Sequence, residues 1–325
     1  MKNIAGLIMA SLTLTLLIAG CSDNTPPPGR AQNSKTLVTC STIGPVAFIA
    51  GEIGGDKITS NSLIPQDKGV HSYLPTPKDV NGMQQAKLFF AIGIPLEEQV
   101  LKHILQGSKI PLIDVAEGIK RMALSEDSKE FEKHSHEGHG HEGEDGEEHH
   151  HSADEDQYLD VHVWMSPANN LIIAVNICKA LQAADPANSA YYAANLQKFT
   201  EKLQALDDRL KKMLAPYKGK KFLVYHPAFG YFGNHYGLIQ ESVETGGKSP
   251  SPKHLETLIN EAQKDNIKII FVQPQFNEKY ADVIAKAVGA KIVRIDPQLP
   301  NVLENYNYIA TELARSMENE GQKGN

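Results

Sequence analysis

The first half of the chain alternates short apolar runs with longer segments in which apolar residues recur every three or four positions. Short apolar runs bounded by turn residues are typical of buried strands, and the longer segments are typical of helices that bury one face. Strands that alternate with helices in this way indicate a parallel sheet with crossover helices. The predicted strands are 36–42, 87–92 and 110–115, and the predicted helices are 45–53 and 95–106.

The same alternation returns after Gly219. Ser251 is the predicted N-cap of a helix that begins at Pro252, and Gly289 is the predicted end of the helix that follows. The chain therefore contains a second α/β unit. Its predicted strands are 221–225, 238–243, 267–273 and 291–295, and its predicted helices are 228–236, 278–288 and those that begin at 252 and 302.

A long amphipathic segment, residues 187–214, lies between the two units. Its apolar residues recur at alternating steps of three and four, so one face of a long helix is buried. The helix would join the lobes rigidly, while periodicity alone equally fits a surface helix of one lobe. We predict two Rossmann-like α/β lobes over 35–186 and 219–325, joined by the linking helix over 187–218. The apolar positions are Leu196, Phe199, Leu203, Leu206, Leu210 and Met213.

The first twenty residues have the layout of an export signal, with Lys2, an apolar run and small residues before Cys21. The apolar run is too short to span a bilayer comfortably. The run Ile-Ala-Gly-Cys resembles a bacterial lipobox, which implies cleavage before Cys21 and lipidation of its thiol. Residues 21–34 then form a lipid-anchored spacer. The alternative is a plain secretory peptide with an incidental cysteine.

Composition narrows the classes of function. The chain has 325 residues, 41% of them apolar, which is enough for two mid-sized domains. A net charge of −7 provides no positive potential that would attract nucleic acid. A negatively charged protein favours the binding of a cation instead. Export permits a disulfide, but Cys40 and Cys178 lie on an apolar strand and an apolar helix face, so we predict two buried free thiols.

Residues 134–151 form a segment of another kind, with seven histidines, many acidic residues and no large apolar residue. Such a segment cannot contribute to a core, so we predict a mobile insertion. Several neutral imidazoles on a flexible chain bind borderline metals adaptably, and a solvated loop without a metal role is the alternative. The predicted secondary ligands are His134, His136, His139, His141, His149, His150 and His151.

Three other histidines lie at the ends of apolar segments or in proline-containing turns. His71 follows a predicted strand that ends at 63–65, His162 follows the histidine-rich segment, and His226 follows the strand 221–225. Asp296 follows the strand 291–295 in the same manner. In open α/β sheets, ligands bind beyond the carboxyl ends of strands. Three imidazoles and one carboxylate would suit a tetrahedral Zn²⁺ site, although each residue taken singly is more often structural.

Five segments, in this order, resemble the zinc and manganese solute-binding lipoproteins of bacterial ABC importers. The resemblance covers nearly the whole chain after residue 36 and implies a metal bound in the cleft between two lobes. It implies ligands at His71, His162 and His226, with Asp296 or water as the fourth, and an ABC permease as the partner of a monomer. The segments are His-Ser-Tyr at 71–73, Asp-Val-His-Val-Trp at 160–164, His-Pro-Ala-Phe at 226–229, Gln-Pro-Gln-Phe at 273–276 and Ile-Asp-Pro at 295–297.

The identity of the ion follows from one position. Manganese members of the family have a glutamate at the position of His226, so a third nitrogen there favours zinc over the hard Mn²⁺. The chain departs from the family at Val161, where proline is usual, and at Val70, where some zinc members have an acidic residue. The second departure removes an alternative fourth ligand and favours Asp296.

We therefore predict an extracytoplasmic, lipid-anchored protein that captures Zn²⁺ and delivers it to an ABC permease. Protonation of imidazoles near their ordinary pKa of about 6.5 would release the ion in acid. The alternatives are a manganese-specific binding protein, a metal-dependent adhesin and a histidine-rich metal buffer. A zinc hydrolase is a weaker alternative, because no His-Glu-x-x-His motif occurs and no general base stands beside the histidines.

Overall fold

In a computed structural model of the chain, the described residues are 36–123, 159–244, 249–276 and 278–321. The predicted signal peptide, the spacer with Cys21 and the histidine-rich segment 134–151 lie outside the described residues. Within the described ranges, no helix is long and apolar enough to cross a membrane.

The first lobe is built on a four-stranded parallel sheet in the order β2-β1-β3-β4. Every residue of its third strand is buried, as expected where helices cover both faces of a parallel sheet. The strands are β1 (Leu37–Ser41), β2 (Ile58–Ser62), β3 (Leu88–Ala91) and β4 (Leu112–Asp114). The helices are α1 (Gly44–Gly54), α2 (Pro77–Met83), α3 (Lys102–Leu105), which continues a π-helical turn over Glu97–Leu101, and α4 (Pro167–Ala184).

The second lobe repeats this plan with a parallel sheet in the order β6-β5-β7-β8. Two predicted helix boundaries are confirmed, because the Ser251 hydroxyl accepts the His254 N–H at 3.2 Å and Gly289 has a φ of 67°. The strands are β5 (Lys221–Val224), β6 (Ile239–Ser242), β7 (Ile269–Val272) and β8 (Lys291–Arg294). The helices are α6 (Gly230–Tyr236), α7 (Pro252–Lys264), α8 (Lys279–Val288) and α9 (Val302–Gly321).

The long helix α5 (Ser189–Leu214) connects the two lobes. It packs against α1 and α4 of the first lobe and against α9, which also reaches α1. Side chains of both lobes therefore share one apolar core. The predicted fold of two α/β lobes joined by a long helix is confirmed, while the residues assigned to the lobe boundaries stay predictions. The buried face of α5 consists of Tyr192, Phe199, Leu203, Leu206, Leu210 and Leu214.

Two local features were not predicted correctly or were missed. Strand β2 ends at Ser62, before the predicted end at 63–65. Helix α2 was missed, although Thr76 and Asp79 form a capping box, in which each side chain accepts the backbone N–H of the other residue.

The two predicted free thiols are confirmed, since Cys40 and Cys178 are both unpaired and buried.

A buried glutamate organises the loop that follows β3. Glu97 is 1% exposed, and its carboxylate accepts the backbone N–H groups of Ile92, Gly93 and Ile94 at 2.6–3.1 Å. The hydroxyl of Thr42 donates to the same carboxylate. These four donors satisfy both carboxyl oxygens, so the Glu97 side chain fixes the conformation of the loop.

Candidate metal centre

Three loops from different parts of the chain bring the candidate ligands together. His71 lies in the loop between β2 and α2, and His162 immediately precedes a 3₁₀ turn at the start of α4. His226 follows β5 in the second lobe, at the carboxyl end of a buried strand. The site therefore lies between the lobes, at the sheet edge where open α/β folds bind ligands.

The three imidazoles point the same nitrogen at one another. The His71 Nε2 atom lies 3.2 Å from the Nε2 atoms of both His162 and His226, and the remaining pair is 3.3 Å apart. A proton can join only one pair of nitrogens, which leaves the third lone pair unmatched. Converging lone pairs of this kind are satisfied by a cation at their centre.

The spacing of the nitrogens fits tetrahedral zinc. With Zn–N bonds of ~2.0–2.1 Å and tetrahedral angles, two ligand nitrogens lie about 3.3 Å apart. The observed separations of 3.2–3.3 Å match that value. A tetrahedral ion bound to all three nitrogens would have one further coordination position to fill.

Two buried carboxylates face the outer nitrogens of these rings. The Asp160 Oδ1 atom lies 2.7 Å from His162 Nδ1 and also accepts the His162 N–H at 2.9 Å. A Glu244 oxygen lies 3.4 Å from His226 Nδ1, too poorly aligned for a hydrogen bond in this state. A proton on each outer nitrogen directs the Nε2 lone pair to the centre, and the two carboxylates balance the charge of a divalent ion.

The backbone and rings around His226 hold it in place. The Gln273 side chain donates to the His226 carbonyl at 2.6 Å and accepts the His226 N–H at 3.1 Å. The Phe276 ring stacks on the His226 imidazole, with centroids 4.6 Å apart. The Trp164 ring lies against His162 on the other side, and its Nε1 donates to the Pro297 carbonyl at 2.7 Å. The Phe276 and Trp164 rings therefore form an apolar wall beside the imidazoles.

Two of the three imidazoles, those of His71 and His226, have lowered pKa values and so lose fewer protons when they bind a metal. Burial of its ring, reinforced by the nearby imidazoles, lowers the pKa of His71 to about 2, although the residue as a whole is exposed. Burial also lowers the pKa of His226, against the opposing effect of Glu244. The structure therefore does not support the prediction that these two rings protonate near a pKa of about 6.5.

The structure does not bring Asp296 into the group of three imidazoles, whose ligand atoms all lie within 4.8 Å of one another. The Asp296 carboxylate is buried and accepts hydrogen bonds from Gln66, Gln275 and the Gln298 N–H at 2.8–3.0 Å. Both carboxylate oxygens are engaged by these donors. Its predicted role as fourth ligand stays a prediction, and the bonding of the side chain does not favour it.

Sequence reasoning missed the roles of Asp160 and Glu244. Asp160 precedes His162 by two residues, and a carboxylate this close to a candidate ligand was a usable signal. Glu244 lies two residues beyond β6 and reaches His226 only through the pairing of β5 with β6. No local pattern marks Glu244.

Two α/β lobes with three converging imidazoles between them define a metal-binding protein. Residues 39–317 match the family described as the zinc-uptake complex component A, periplasmic. The match spans most of the chain, and the chain belongs to this family.

Named relatives agree with this assignment. The high-affinity zinc uptake system protein ZnuA of Bacillus subtilis (strain 168) is 31% identical over 281 residues, which cover 85% of this chain and 83% of the relative. The manganese ABC transporter substrate-binding lipoprotein PsaA of Streptococcus pneumoniae is 27% identical over 300 residues, covering 88% and 86%. A crystal structure of ZnuA superimposes with a TM-score of 0.76 at 28% identity, covering 86% of this chain and 99% of that structure.

Membership of this family defines the class of activity. The protein is an extracytoplasmic substrate-binding component of an ABC metal-uptake system, and its partners are a metal ion and a permease. Proteins of this class bind and deliver a substrate and are not enzymes. The three converging histidines therefore belong to a protein of a carrier class rather than to a hydrolase.

Proposed function

We propose that this protein captures Zn²⁺ in the cleft through the Nε2 atoms of His71, His162 and His226. The observation that carries the proposal is the triangle of nitrogens with sides of 3.2–3.3 Å, the spacing of a tetrahedral zinc site. Water, or a residue that moves on binding, supplies the fourth ligand. The relatives named as zinc uptake proteins support the same ion.

The chemistry of the ligands favours zinc over manganese. Three imidazole nitrogens suit a borderline ion, whereas Mn²⁺ prefers carboxylate, carbonyl and water oxygens and a higher coordination number. The carboxylates of Asp160 and Glu244 lie beside the outer nitrogens of the rings rather than at the centre. Some relatives are named as manganese carriers, so competition between Zn²⁺ and Mn²⁺ is the discriminating test.

Other parts of the chain serve delivery in this proposal. Lipidation of Cys21 tethers the monomer to a membrane, and residues 21–34 act as the spacer between the lipid and the two lobes. The histidines of the segment 134–151 offer transient, low-affinity ligands that raise the local concentration of the ion. The loaded cleft is then recognised by the permease.

Competitive titration of the chelator-stripped protein with Zn²⁺ and Mn²⁺ tests the proposal. We expect one tight zinc site that excess Mn²⁺ does not displace, and its loss in the triple variant His71→Ala, His162→Ala and His226→Ala. The exposed His103 supplies a matched control, since His103→Ala removes an imidazole outside the site. Tight zinc binding that survives the triple variant, or that disappears only when residues 134–151 are deleted, would refute the assignment.

A further inference from the structure

The loop that carries His71 is held by the opposite lobe. Residues 66–68 are exposed and form the approach to His71 from β2. The Gln66 side chain donates to Asp296 Oδ2 at 2.9 Å, and the Gln66 carbonyl accepts Gln275 Nε2 at 2.8 Å. Two residues further on, the Lys68 carbonyl accepts Gln298 Nε2 at 2.8 Å. Three hydrogen bonds therefore join this short segment to the second lobe.

Asp296 is the centre of this arrangement. Its other oxygen, Oδ1, accepts Gln275 Nε2 at 3.0 Å and the Gln298 N–H at 2.8 Å, so it orients both glutamines toward the loop. The Asn305 side chain fixes the Asp296 carbonyl at 2.8 Å. Asp296 and Gln298 are 6% and 5% exposed, so the second-lobe side of this arrangement is shielded from water, while residues 66–68 on the loop side are exposed.

We propose that Asp296, Gln275 and Gln298 form a latch that closes the His71 loop over the metal site, with Asp296 positioning His71 rather than ligating the ion. The proposal rests on the proposed function, because the latch controls the entry and exit of the bound ion. His71 is the one exposed residue of the three ligands, so it is the ligand that can leave first. Opening the latch removes one nitrogen from the ion and leaves the two buried imidazoles in place.

One pair of substitutions distinguishes a positioning role of Asp296 in the latch from a role as a metal ligand. Gln66→Glu places a carboxylate against Asp296, so the two acids repel and the latch opens. In the double variant Gln66→Glu with Asp296→Asn, the donor and the acceptor exchange places and every bond of the latch can form again. A ligand at position 296 cannot be restored in this way, because the amide of asparagine is a poor substitute for a carboxylate on a metal.

The test combines hydrogen exchange of the metal-free protein with stopped-flow zinc release. For Gln66→Glu we expect peptides that contain residues 66–71 to exchange at least about tenfold faster than in the wild type. We expect zinc to dissociate about tenfold faster. The double variant should return both rates to within about threefold of the wild type. Gln84→Glu, the same change at an exposed glutamine next to α2, is the matched control.

Two outcomes would overturn the latch. In the first, Gln66→Glu behaves like Gln84→Glu in both measurements. In the second, Asp296→Asn alone weakens zinc binding as much as His226→Ala and the double variant does not recover, which would make Asp296 a ligand. Hydrogen exchange is measured without metal, so it tests whether the latch holds the loop even if the wild type fails to bind zinc. Circular dichroism confirms that each variant is folded.

Discussion

Removal of the Asp160 charge isolates the contribution of a group that orients a ligand without contacting the ion. In Asp160→Asn, the side-chain oxygen can still accept the His162 N–H groups that Asp160 Oδ1 now accepts at 2.7 and 2.9 Å. The shape of the site is therefore retained and the negative charge is lost. We expect weaker zinc binding with little change in fold.

The size of the effect follows from the distance and the burial. A zinc ion on His162 Nε2 would lie about 6 Å from Asp160 Oδ1, across the ring and one Zn–N bond. At that distance a single charge and a divalent ion attract by about 5.5 kcal/mol at an effective dielectric constant of 20, and by about 1.4 kcal/mol in water. Asp160 is 3% exposed, so water screens it little. Groups of this kind contribute about 10- to 100-fold in metal affinity, or about 1.4–2.7 kcal/mol, which falls near the lower limit of this range.

Competition with a zinc chelator at neutral pH measures this change in affinity. Asp207 provides a matched control, because it lies 2.7 Å from His235 outside the site and Asp207→Asn removes an equivalent charge. We expect the Kd to rise 10- to 100-fold for Asp160→Asn and to stay within about twofold for Asp207→Asn. Equal affinities in the two variants, both folded, would refute the role assigned to Asp160.

Four further predictions concern protonation, stability at low pH, packing at Gly230 and the bonding of Glu97. The pKa values of His71 and His226 are lowered, so zinc binding at pH 6 should release fewer protons from these rings than the about 1.5 protons expected of two ordinary imidazoles; calorimetry in buffers of different ionisation enthalpy measures this. The same shifts make the metal-free protein lose stability as the pH falls below about 6.5, by up to about 1.4 kcal/mol per pH unit for each ring, because the unfolded chain takes up the protons. A Cβ on Gly230 would lie 2.9 Å from an Asp160 oxygen, so Gly230→Ala should weaken zinc binding by about 2- to 10-fold, while Gly82→Ala, which meets nothing within 4 Å, should not. Glu97→Gln turns an amide N–H toward backbone donors, and urea unfolding should show a loss of about 1–3 kcal/mol.

The sequence predicted the features of the fold that depend on local pattern. Buried strands such as β3 and β7 are continuous apolar runs, and α5 shows its buried face as a stripe of leucines. The three histidines were candidates because each lies in a turn beside an apolar segment, and the motifs around them, which resemble those of a known family, made them the predicted ligands. Helix α2 was missed because it is short and its capping box is its main signal.

The surroundings of the site could not be predicted, because they depend on contacts between distant segments. Asp296 follows a strand in the same way as His226, so the sequence placed both residues at the metal. The structure engages Asp296 with Gln66, which lies 230 residues earlier in the chain, and no sequence pattern identifies that pair. Glu244 likewise meets His226 only because β6 pairs with β5.

Zinc K-edge absorption spectroscopy on protein loaded with less than one equivalent of Zn²⁺ tests the central claim most directly. Comparison of the full chain with a variant that lacks residues 134–151 separates the cleft from the histidine-rich segment. We predict that zinc in both proteins has three imidazole nitrogens at ~2.0–2.1 Å and one further nitrogen or oxygen ligand. A six-coordinate oxygen shell, or an imidazole signal that disappears with the deleted segment, would contradict it.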